Sequence, residues 1–452
     1  MKVLLARPPR RDRRDAGLSV PPLGLAYIAG ELQRLGRPVE ILDAYALGWS
    51  WARFEQELAA KQPDVLGLSA MTPVVDTAWR AARLARPHVG RIVLGGPHPT
   101  AVKRRALAEC AELDELVIGE GEEVVGPYLD WLEGGGTPPP GVMSRDQPFT
   151  EHEPTRGIEE LAWPARDLLP MGAYRYLMAT RPGFATMLTS RGCPFRCSFC
   201  DKSVSGSSWR ARQAVDVVDE LQWLAERGVG FVNLYDDNFT LSRRRVHAIC
   251  DEIQRRDLDI AWKAEARVDG VDLPMLQAMR AAGCRVVAYG VESANPDTLA
   301  LLRKDVKVDK VRRAFALTRE AGLRSVAYII LGAPGESAVE VRRTLRFVDD
   351  IRADYVQFSS LVALPNTPLH ASHGAWAERA RLDVKNPVDA DQHRVTVSDL
   401  PPDELAALLR QAWRGFYLRP RPMARIARDA WRSGSLVEAA RLGGAMTRWA
   451  LA

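Results

Sequence analysis

Three cysteines fall within one short run, Cys193-Pro-Phe-Arg-Cys197-Ser-Phe-Cys200, in the spacing C-x-x-x-C-x-x-C. Three thiolates on one tight loop can hold three irons of a [4Fe–4S] cluster and leave the fourth iron open to a substrate or cofactor. A closed zinc site asks for four ligands, and no fourth Cys or His lies near in sequence. The competing reading makes the three small buried hydrophobes, the usual fate of an isolated free cysteine. Their spacing, the preceding Arg191-Gly192 and the aromatic before the last Cys favour the cluster. Six Cys in 452 residues do not make a disulfide scaffold, so the expected compartment is the reducing cytoplasm.

A loop with that task needs a rigid strand behind it. Ala185–Thr189 ends just before the triplet, and Phe231–Tyr235, Trp262–Glu265, Val286–Gly290, Val326–Leu331 and Tyr355–Leu361 are strand-like as well. Helical runs Val215–Glu226, Arg243–Arg255, Leu273–Ala282, Lys310–Ala321 and Val339–Asp350 separate them. Six successive βα units predict a partial or full barrel over residues 186–375, with its chemistry at the carboxyl ends of the strands. Residues 376–452 read as a helical region. Ahead of the barrel, Val3–Leu5, Val39–Leu42, Val65–Leu68 and Ile92–Leu94 alternate with helical stretches such as Leu23–Leu35 and Ala78–Leu84. That alternation predicts a doubly wound, Rossmann-like parallel sheet over residues 1–135, its ligand site again beyond the strand ends. Gly134-Gly135-Gly136 and Pro138-Pro139-Pro140 break the pattern, and residues 136–185 read as a linker. The fold class is therefore α/β, with a helical carboxy-terminal region.

Composition sets the outer bounds. With 46% apolar and 26% charged residues the chain is globular, and its length calls for two or three domains. The net charge of +5 is mild and does not call for nucleic acid. It has an address, however: residues 401–452 hold nine Arg against Asp403, Glu404, Asp429 and Glu438. No segment reaches the roughly 20 apolar residues needed to span a bilayer.

The cysteine loop after a first barrel strand resembles the motif of the radical S-adenosylmethionine (radical SAM) superfamily. The resemblance implies that the open iron chelates SAM and that an electron from the cluster cleaves it to a 5′-deoxyadenosyl radical. Further matches follow the later strands. Tyr235-Asp236-Asp237-Asn238-Phe239 is similar to the family's SAM amino-group motif, although the usual Gly-Gly-Glu is absent, and points to Asp237. Glu265-Ala266-Arg267 offers Arg267 for the SAM carboxylate, a bidentate task suited to guanidinium. Tyr289-Gly290-Val291-Glu292-Ser293 places Glu292 and Ser293 at the ribose or amino group. Ile330-Leu331-Gly332-Ala333-Pro334-Gly335-Glu336 places Gly332 against adenine.

The amino-terminal half resembles the cobalamin-binding branch of the same superfamily. The matching stretches are Pro8-Pro9, the run from Val20 to Ala29, Gly67-Leu-Ser69-Ala-Met-Thr72, Gly95-Gly96-Pro97-His98 and Gly119-Glu-Gly121-Glu122. Small residues such as Gly95 and Gly96 would let backbone approach a corrin, and Ser69 and Thr72 would hydrogen-bond its nucleotide tail. Many cobalamin proteins present Asp-x-His-x-x-Gly, whose His ligates cobalt from below. Here the stretch is Asp43-Ala-Tyr45-Ala-Leu-Gly48, so Tyr45 stands where His would. A phenol, with a pKa of about 10, is a poor cobalt ligand near neutral pH. The expectation is cobalamin with no His on cobalt, against a flavodoxin-like domain without cofactor. His98 would face the corrin or sit on an exposed loop.

The resemblance implies an enzyme using a [4Fe–4S] cluster, SAM and cobalamin, and methyl transfer to an unactivated carbon of a small molecule is the leading reaction. Oxidative cyclisation or rearrangement on the same architecture is the alternative. Methylthio transfer is disfavoured, because that group carries a second cluster and this domain has only Cys110. An electron-transfer or sensory iron–sulfur protein is the reading from another class. The implied partners are a small-molecule substrate, a hydrophobic one among the options, and an electron donor such as flavodoxin or ferredoxin. The basic stretch Arg419–Arg432 reads either as a solvated helix packed on the barrel or as a peripheral membrane contact.

Overall fold

The computed structural model describes residues 1–11, 19–379 and 397–451. These residues form two compact units. One holds the chain up to Tyr174 together with Asp201–Gly206, and the other holds Arg175–Cys200 and the chain from Ser207 onward.

The first unit alternates strand and helix: β1 (Val3–Arg7), α1 (Leu23–Arg34), β2 (Val39–Asp43), α2 (Trp51–Lys61), β3 (Val65–Ser69), α3 (Val75–Ala85), β4 (Arg91–Gly95), α4 (Pro97–Val102), α5 (Arg104–Glu109), β5 (Glu115–Val117), α6 (Val125–Gly134) and β6 (Val142–Ser144). The strand order is β2-β1-β3-β4-β5-β6, parallel except for β6 at the edge. Successive side chains of a strand point to opposite faces, and both faces are apolar here. Val3 and Leu5 pack with Leu25, Ala29 and Leu32 of α1, whereas Leu4 and Ala6 join Phe54 and Leu58 of α2 and Ala78 and Ala82 of α3. Burial on both faces is what a doubly wound sheet requires. The order reverses between β1 and β3, which opens the crevice at the carboxyl ends where such sheets take ligands.

Residues 136–185, expected as a linker, do more than connect. Up to Tyr174 they belong to the first unit, adding β6 to the sheet and then packing along α1 around residues 156–165, whereas 175–185 belong to the second unit and lead into its first strand. Ala165 N–H donates to the Ala26 carbonyl at 2.9 Å, and buried Glu31 accepts from Ala162 N–H at 2.8 Å and from Arg34 and Arg156. Burial alone would raise the Glu31 pKa, but those bonds outweigh it and hold the carboxyl below its ordinary range. Proline and glycine hid this docking, because an irregular segment can be ordered by side chains with no periodicity to betray it.

In the second unit the elements are β7 (Phe184–Met187), β8 (Ser190–Arg191), β9 (Arg210–Ala211), α7 (Ala214–Glu226), β10 (Phe231–Leu234), α8 (Arg243–Arg255), β11 (Ala261–Ala266), α9 (Leu273–Ala281), β12 (Cys284–Glu292), α10 (Pro296–Leu301), α11 (Val308–Glu320), β13 (Arg324–Leu331), α12 (Ala338–Ile351) and β14 (Tyr355–Ser360). Six parallel strands in the order β14-β13-β12-β11-β10-β7 make an open half-barrel. All six had been expected within two residues of these bounds. Four helices follow, α13 (Pro368–Arg379), α14 (Pro402–Tyr417), α15 (Pro420–Ser433) and α16 (Leu436–Leu451). The part of the expected helical region at 380–396 lies outside the described residues. No helix among the described residues is long and apolar enough to cross a membrane.

The docking of the stretch around Trp163 on α1 rests on a close approach at Gly30, where a Cβ would stand 2.2 Å from the Trp163 carbonyl oxygen. Gly30→Ala should therefore destabilise the first unit by about 1–3 kcal/mol, the usual cost of overpacking. Thermal unfolding followed by circular dichroism, with limited proteolysis around residue 163, checks it. An unchanged midpoint and cleavage pattern would refute the docking.

Candidate functional site

The cysteine loop hangs from the carboxyl end of β7. Where that strand ends, Thr189 is held from both sides of its peptide. Its N–H and hydroxyl donate to the buried carboxylate of Asp236, at 2.6 and 2.5 Å, and Ser190 Oγ donates to the same group at 2.6 Å. Its carbonyl accepts from Arg245 Nη2 at 2.6 Å and Arg212 N–H at 3.0 Å. The antiparallel pair β8 and β9 then closes the base of the loop. On its far side, Ser198 N–H and Oγ donate to the carbonyls of Leu302 and Leu301, both at 2.9 Å. The three thiols thus lie on a segment tied down before, within and after the motif.

Accessibility divides the six cysteines. Cys193 and Cys197 are half-buried and Cys200 is exposed, whereas Cys110, Cys250 and Cys284 are buried. Burial pushes the Cys110 and Cys250 thiols up to about 12 and raises that of Cys284 as well, so all three stay protonated near neutral pH. Only the loop cysteines are accessible to a soft metal. Among the described residues no group of three or more His, Cys, Asp or Glu side chains is already gathered to hold a metal ion. The loop nevertheless fits a cluster by its donor set: three accessible thiols, no disulfide and one face left without a protein ligand.

The strand-end residues divide into two groups. Asp237 is exposed and accepts from Gly192 N–H at 2.9 Å, directly beside Cys193. Glu292 ends β12 in a left-handed conformation, φ 64°, just past a break in register. Its Oε1 accepts from Lys304 Nζ at 2.7 Å, while Oε2 takes no hydrogen bond among the described residues. Gly290 leaves room for the pair as it stands: a Cβ there would lie 2.4 Å from Glu292 Oε1 and 2.5 Å from Lys304 Nζ, so both side-chain ends would have to shift. Arg267 has its fork filled. Nε and Nη2 donate to Asp269 at 3.0 and 2.9 Å, Nη2 also reaches the Lys304 carbonyl, and the guanidinium lies 3.7 Å from the Phe195 ring centroid. Its contact with the motif is therefore a stack on the residue between Cys193 and Cys197.

Ser293 and Gly332 turn inward. The Ser293 hydroxyl is fully buried among Asn295, Thr344 and Glu336. Gly332, at φ 79°, gives its N–H to Glu336 Oε2 at 2.9 Å. Burial raises the Glu336 pKa, and the hydrogen bonds from Ala333, Gly332, Asn295 and Thr298 offset only part of that. This carboxyl shapes the turn after β13.

In the first unit the expected residues do gather at the carboxyl ends of β2, β3 and β4. Ser69 is exposed. Gly96, at φ 96°, packs so tightly that a Cβ would meet Ser69 Oγ at 2.7 Å. Gly95 meets nothing nearer than 3.8 Å, and Gly119, at the end of β5, meets nothing at all. The edge is thus bare of bulk where a broad, flat group would lie, and it fits a corrin in that respect. Tyr45 is half-buried, its ring capped by the guanidinium groups of Arg7 at 4.1 Å and Arg10 at 4.5 Å. His98, expected at the corrin or on an exposed loop, is buried instead. Its Nδ1 lies 3.1 Å from Thr72 Oγ1, its Nε2 3.5 Å from Glu109, and its ring meets Trp79 edge-on. Thr72 is engaged by that histidine.

Sequence reasoning passed over one further cluster. Lys263 and Glu265, two apart on β11, form an ion pair that Tyr328 of β13 joins at 3.1 Å and Asn233 of β10 at 3.3 Å. Burial disfavours the Lys263 ammonium, yet Glu265 and Tyr328 raise its pKa above the ordinary value. Two charged residues on one face of a strand otherwise buried were the available signal.

Comparison with known proteins agrees with this arrangement. The family model of the radical SAM superfamily matches residues 187–348 and that of the B12 binding domain matches residues 12–127. An uncharacterized methyltransferase, PH0819 of Pyrococcus horikoshii, is 32% identical over 442 residues, covering 93% of each chain. The anaerobic magnesium-protoporphyrin IX monomethyl ester cyclase of Rubrivivax gelatinosus is 29% identical, over 79% of this chain and 67% of its own. The radical SAM methyltransferase TsrM from Kitasatospora setae, solved with cobalamin and a [4Fe–4S] cluster, superposes with a TM-score of 0.68. It is 21% identical over 84% of this chain and 75% of its own, which establishes a shared fold.

The division among the cysteines predicts their reactivity. In the cluster-free folded protein, iodoacetamide should label Cys193, Cys197 and Cys200 and spare Cys110, Cys250 and Cys284 until denaturant is added. Peptide mass spectrometry reads the sites, and labelling of any buried thiol at a loop-cysteine rate would contradict the assignment.

Proposed function

Because the chain belongs to the cobalamin-dependent radical SAM enzymes, we propose that it C-methylates an unactivated carbon of a small-molecule substrate. Its cofactors are a [4Fe–4S] cluster, SAM and cobalamin. When bound, these groups supply a one-electron reductant, a source of a carbon-centred radical and a methyl carrier. The observation that carries methyl transfer is the end-to-end match to a relative named a methyltransferase, 93% of each chain. The cyclase reading has its own support in the cyclase relative, but this chain spans only 67% of that protein.

Within this reading Cys193, Cys197 and Cys200 hold the cluster. Asp237 anchors the loop through Gly192 and presents its exposed carboxylate beside the cluster. Glu292 offers its Oε2 to the SAM amino group or ribose, with Lys304 fixing Oε1. Arg267 acts as a positioning residue: with its fork on Asp269 it sets Phe195, and so the run from Cys193 to Cys197. Ser293 and Gly332 act through Glu336, which shapes the turn that would lie against adenine. Ser69, Gly95 and Gly96 line the cobalamin edge, with Thr72 behind them on His98. Tyr45, its ring engaged by the Arg7 and Arg10 guanidinium groups, would stand in the place of a ligating His and offer the cobalamin cobalt no imidazole nitrogen. The Lys263–Glu265–Tyr328 cluster is the polar feature placed to orient a substrate hydrogen-bond donor. A reduced flavodoxin or ferredoxin is the proposed source of electrons.

Glu292 and its glycine give a test of the SAM site that needs no turnover. A hydrogen bond to a charged group contributes roughly 1.5–3 kcal/mol. Glu292→Ala should therefore weaken SAM binding by about ten-fold or more. Gly290→Ala should do the same by splitting the ion pair, with both charges still present. Equilibrium dialysis of labelled SAM against the reconstituted protein measures both, and unchanged affinity in both variants would remove Glu292 from the site.

Products decide between the two reactions. Methyl transfer should yield 5′-deoxyadenosine and S-adenosylhomocysteine together, and methyl-labelled SAM should pass its label to the product. Cyclisation or rearrangement would yield 5′-deoxyadenosine without stoichiometric S-adenosylhomocysteine. The cob(II)alamin form, prepared in protein labelled with 15N-histidine, should show no superhyperfine splitting from a protein imidazole by electron paramagnetic resonance. An axial imidazole signal would overturn the role given to Tyr45.

A further inference from the structure

The helix α15 packs one side on the half-barrel and leaves two large apolar side chains on its outer surface. Its inward positions are Pro422, Asp429 and Ala430, with Ile426 against Val286, Val326 and Tyr355 of the half-barrel. Polar contacts do much of the seating. Asp429 is fully buried and bonds Arg324 and the Tyr355 hydroxyl, and Arg425 pairs with Asp354 at 2.8 Å. Two large apolar side chains of the helix, Met423 and Trp431, face water. Met423 is 53% exposed and Trp431 70%, and just past the Gly434 turn Leu436 and Val437 are 49% and 60% exposed. Met423 and Trp431 lie eight positions apart, about 12 Å along the helix. A helix that merely rides on the barrel turns such residues inward. A run of them left outside marks a surface that a partner covers.

Charge identifies the partner. Arg421, Arg428 and Arg432 are exposed among these apolar residues, and none has an ion pair or hydrogen bond among the described residues. The acids of the same stretch are committed elsewhere, Asp429 to Arg324 and Glu438 to Arg175, 4.0 Å away. The face is therefore apolar and cationic, with no free anion. Tryptophan suits the interfacial layer of a bilayer, and arginine reaches lipid phosphates while its stem stays in the apolar layer. We propose that α15 and the start of α16 dock this enzyme on an anionic membrane surface. Arg324 and Tyr355, which seat α15, begin β13 and β14, so the docking face lies at the amino ends of the strands. The cysteine loop lies at their carboxyl ends, and docking leaves it open. This inference stands apart from the choice between methyl transfer and cyclisation.

Flotation of the full chain with vesicles provides the test. The protein should float with phosphatidylcholine vesicles containing phosphatidylglycerol and not with phosphatidylcholine alone, and high salt should release it. Each Arg near an anionic surface contributes a factor of roughly five, so replacing Arg421, Arg428 and Arg432 by Ser should cost about a hundred-fold in partitioning. Replacement of the same three by Lys should retain binding. Met423→Ser with Trp431→Ser should abolish flotation without changing the far-ultraviolet circular dichroism. Failure of the wild type to float with anionic vesicles would overturn the proposal, as would flotation unaffected by the Met423/Trp431 pair. A dimer in solution that Trp431→Ser dissociates would overturn it too, by showing a second copy to be the occupant.

Discussion

The peptide of Thr189 is where the half-barrel and the cysteine loop meet, and it is gripped on both edges. Asp236, buried at the end of β10, takes its N–H and hydroxyl together with the Ser190 hydroxyl, while Arg245 and the Arg212 N–H take its carbonyl. Hydrogen bonds to a buried charge are worth more than neutral ones, and losing one leaves an uncompensated group inside the protein. The arrangement therefore has a narrow range of geometries. Burial works against the charge of Arg245, and Asp236 opposes that effect. A loop with three soft ligands has little structure of its own, so its direction is inherited from this clasp and from the β8–β9 pair that closes it.

A second constraint spreads the same geometry across the strand ends. Lys304 links two of them, through its carbonyl to Arg267 and through its ammonium to Glu292. Arg267 in turn faces Phe195 inside the cysteine motif. Gly290 keeps the space in which the Lys304–Glu292 pair forms, and Glu292 accepts a left-handed backbone to reach it. Strain of that kind is of order 1–3 kcal/mol and persists only where the surroundings fix it. The loop, the third strand and the fourth strand are thus one contact network. A change at any of them reaches the others through Lys304, Arg267 and Phe195.

Much of this was legible in the sequence. Strand positions followed from runs of apolar residues, and the cysteine spacing singled out the one loop whose thiols the structure leaves accessible. The kind of ligand came from the resemblance carried by the small residues of the first unit, and the B12 binding domain model matches residues 12–127. The roles of individual polar side chains were less accessible. Arg267 reads as a free fork until Asp269, two residues on, fills it. His98 reads as a loop residue, yet Trp79 and Glu109 enclose it. Residues 136–185 read as a linker because the order of their first part comes from contacts with α1, at Ala162 and Ala165, and not from a repeat.

What the sequence by itself determined is therefore the inventory: six βα units, a doubly wound sheet before them, and one loop with three thiols. Periodicity and spacing are local properties, and neighbouring residues suffice to set them. Only the tertiary structure decided which polar groups are committed to one another. Asp236 meets Thr189 across 47 positions and Asp429 meets Arg324 across 105. Such pairs form because a buried charge must find a partner, and where that partner stands in the chain is fixed only once the elements have packed.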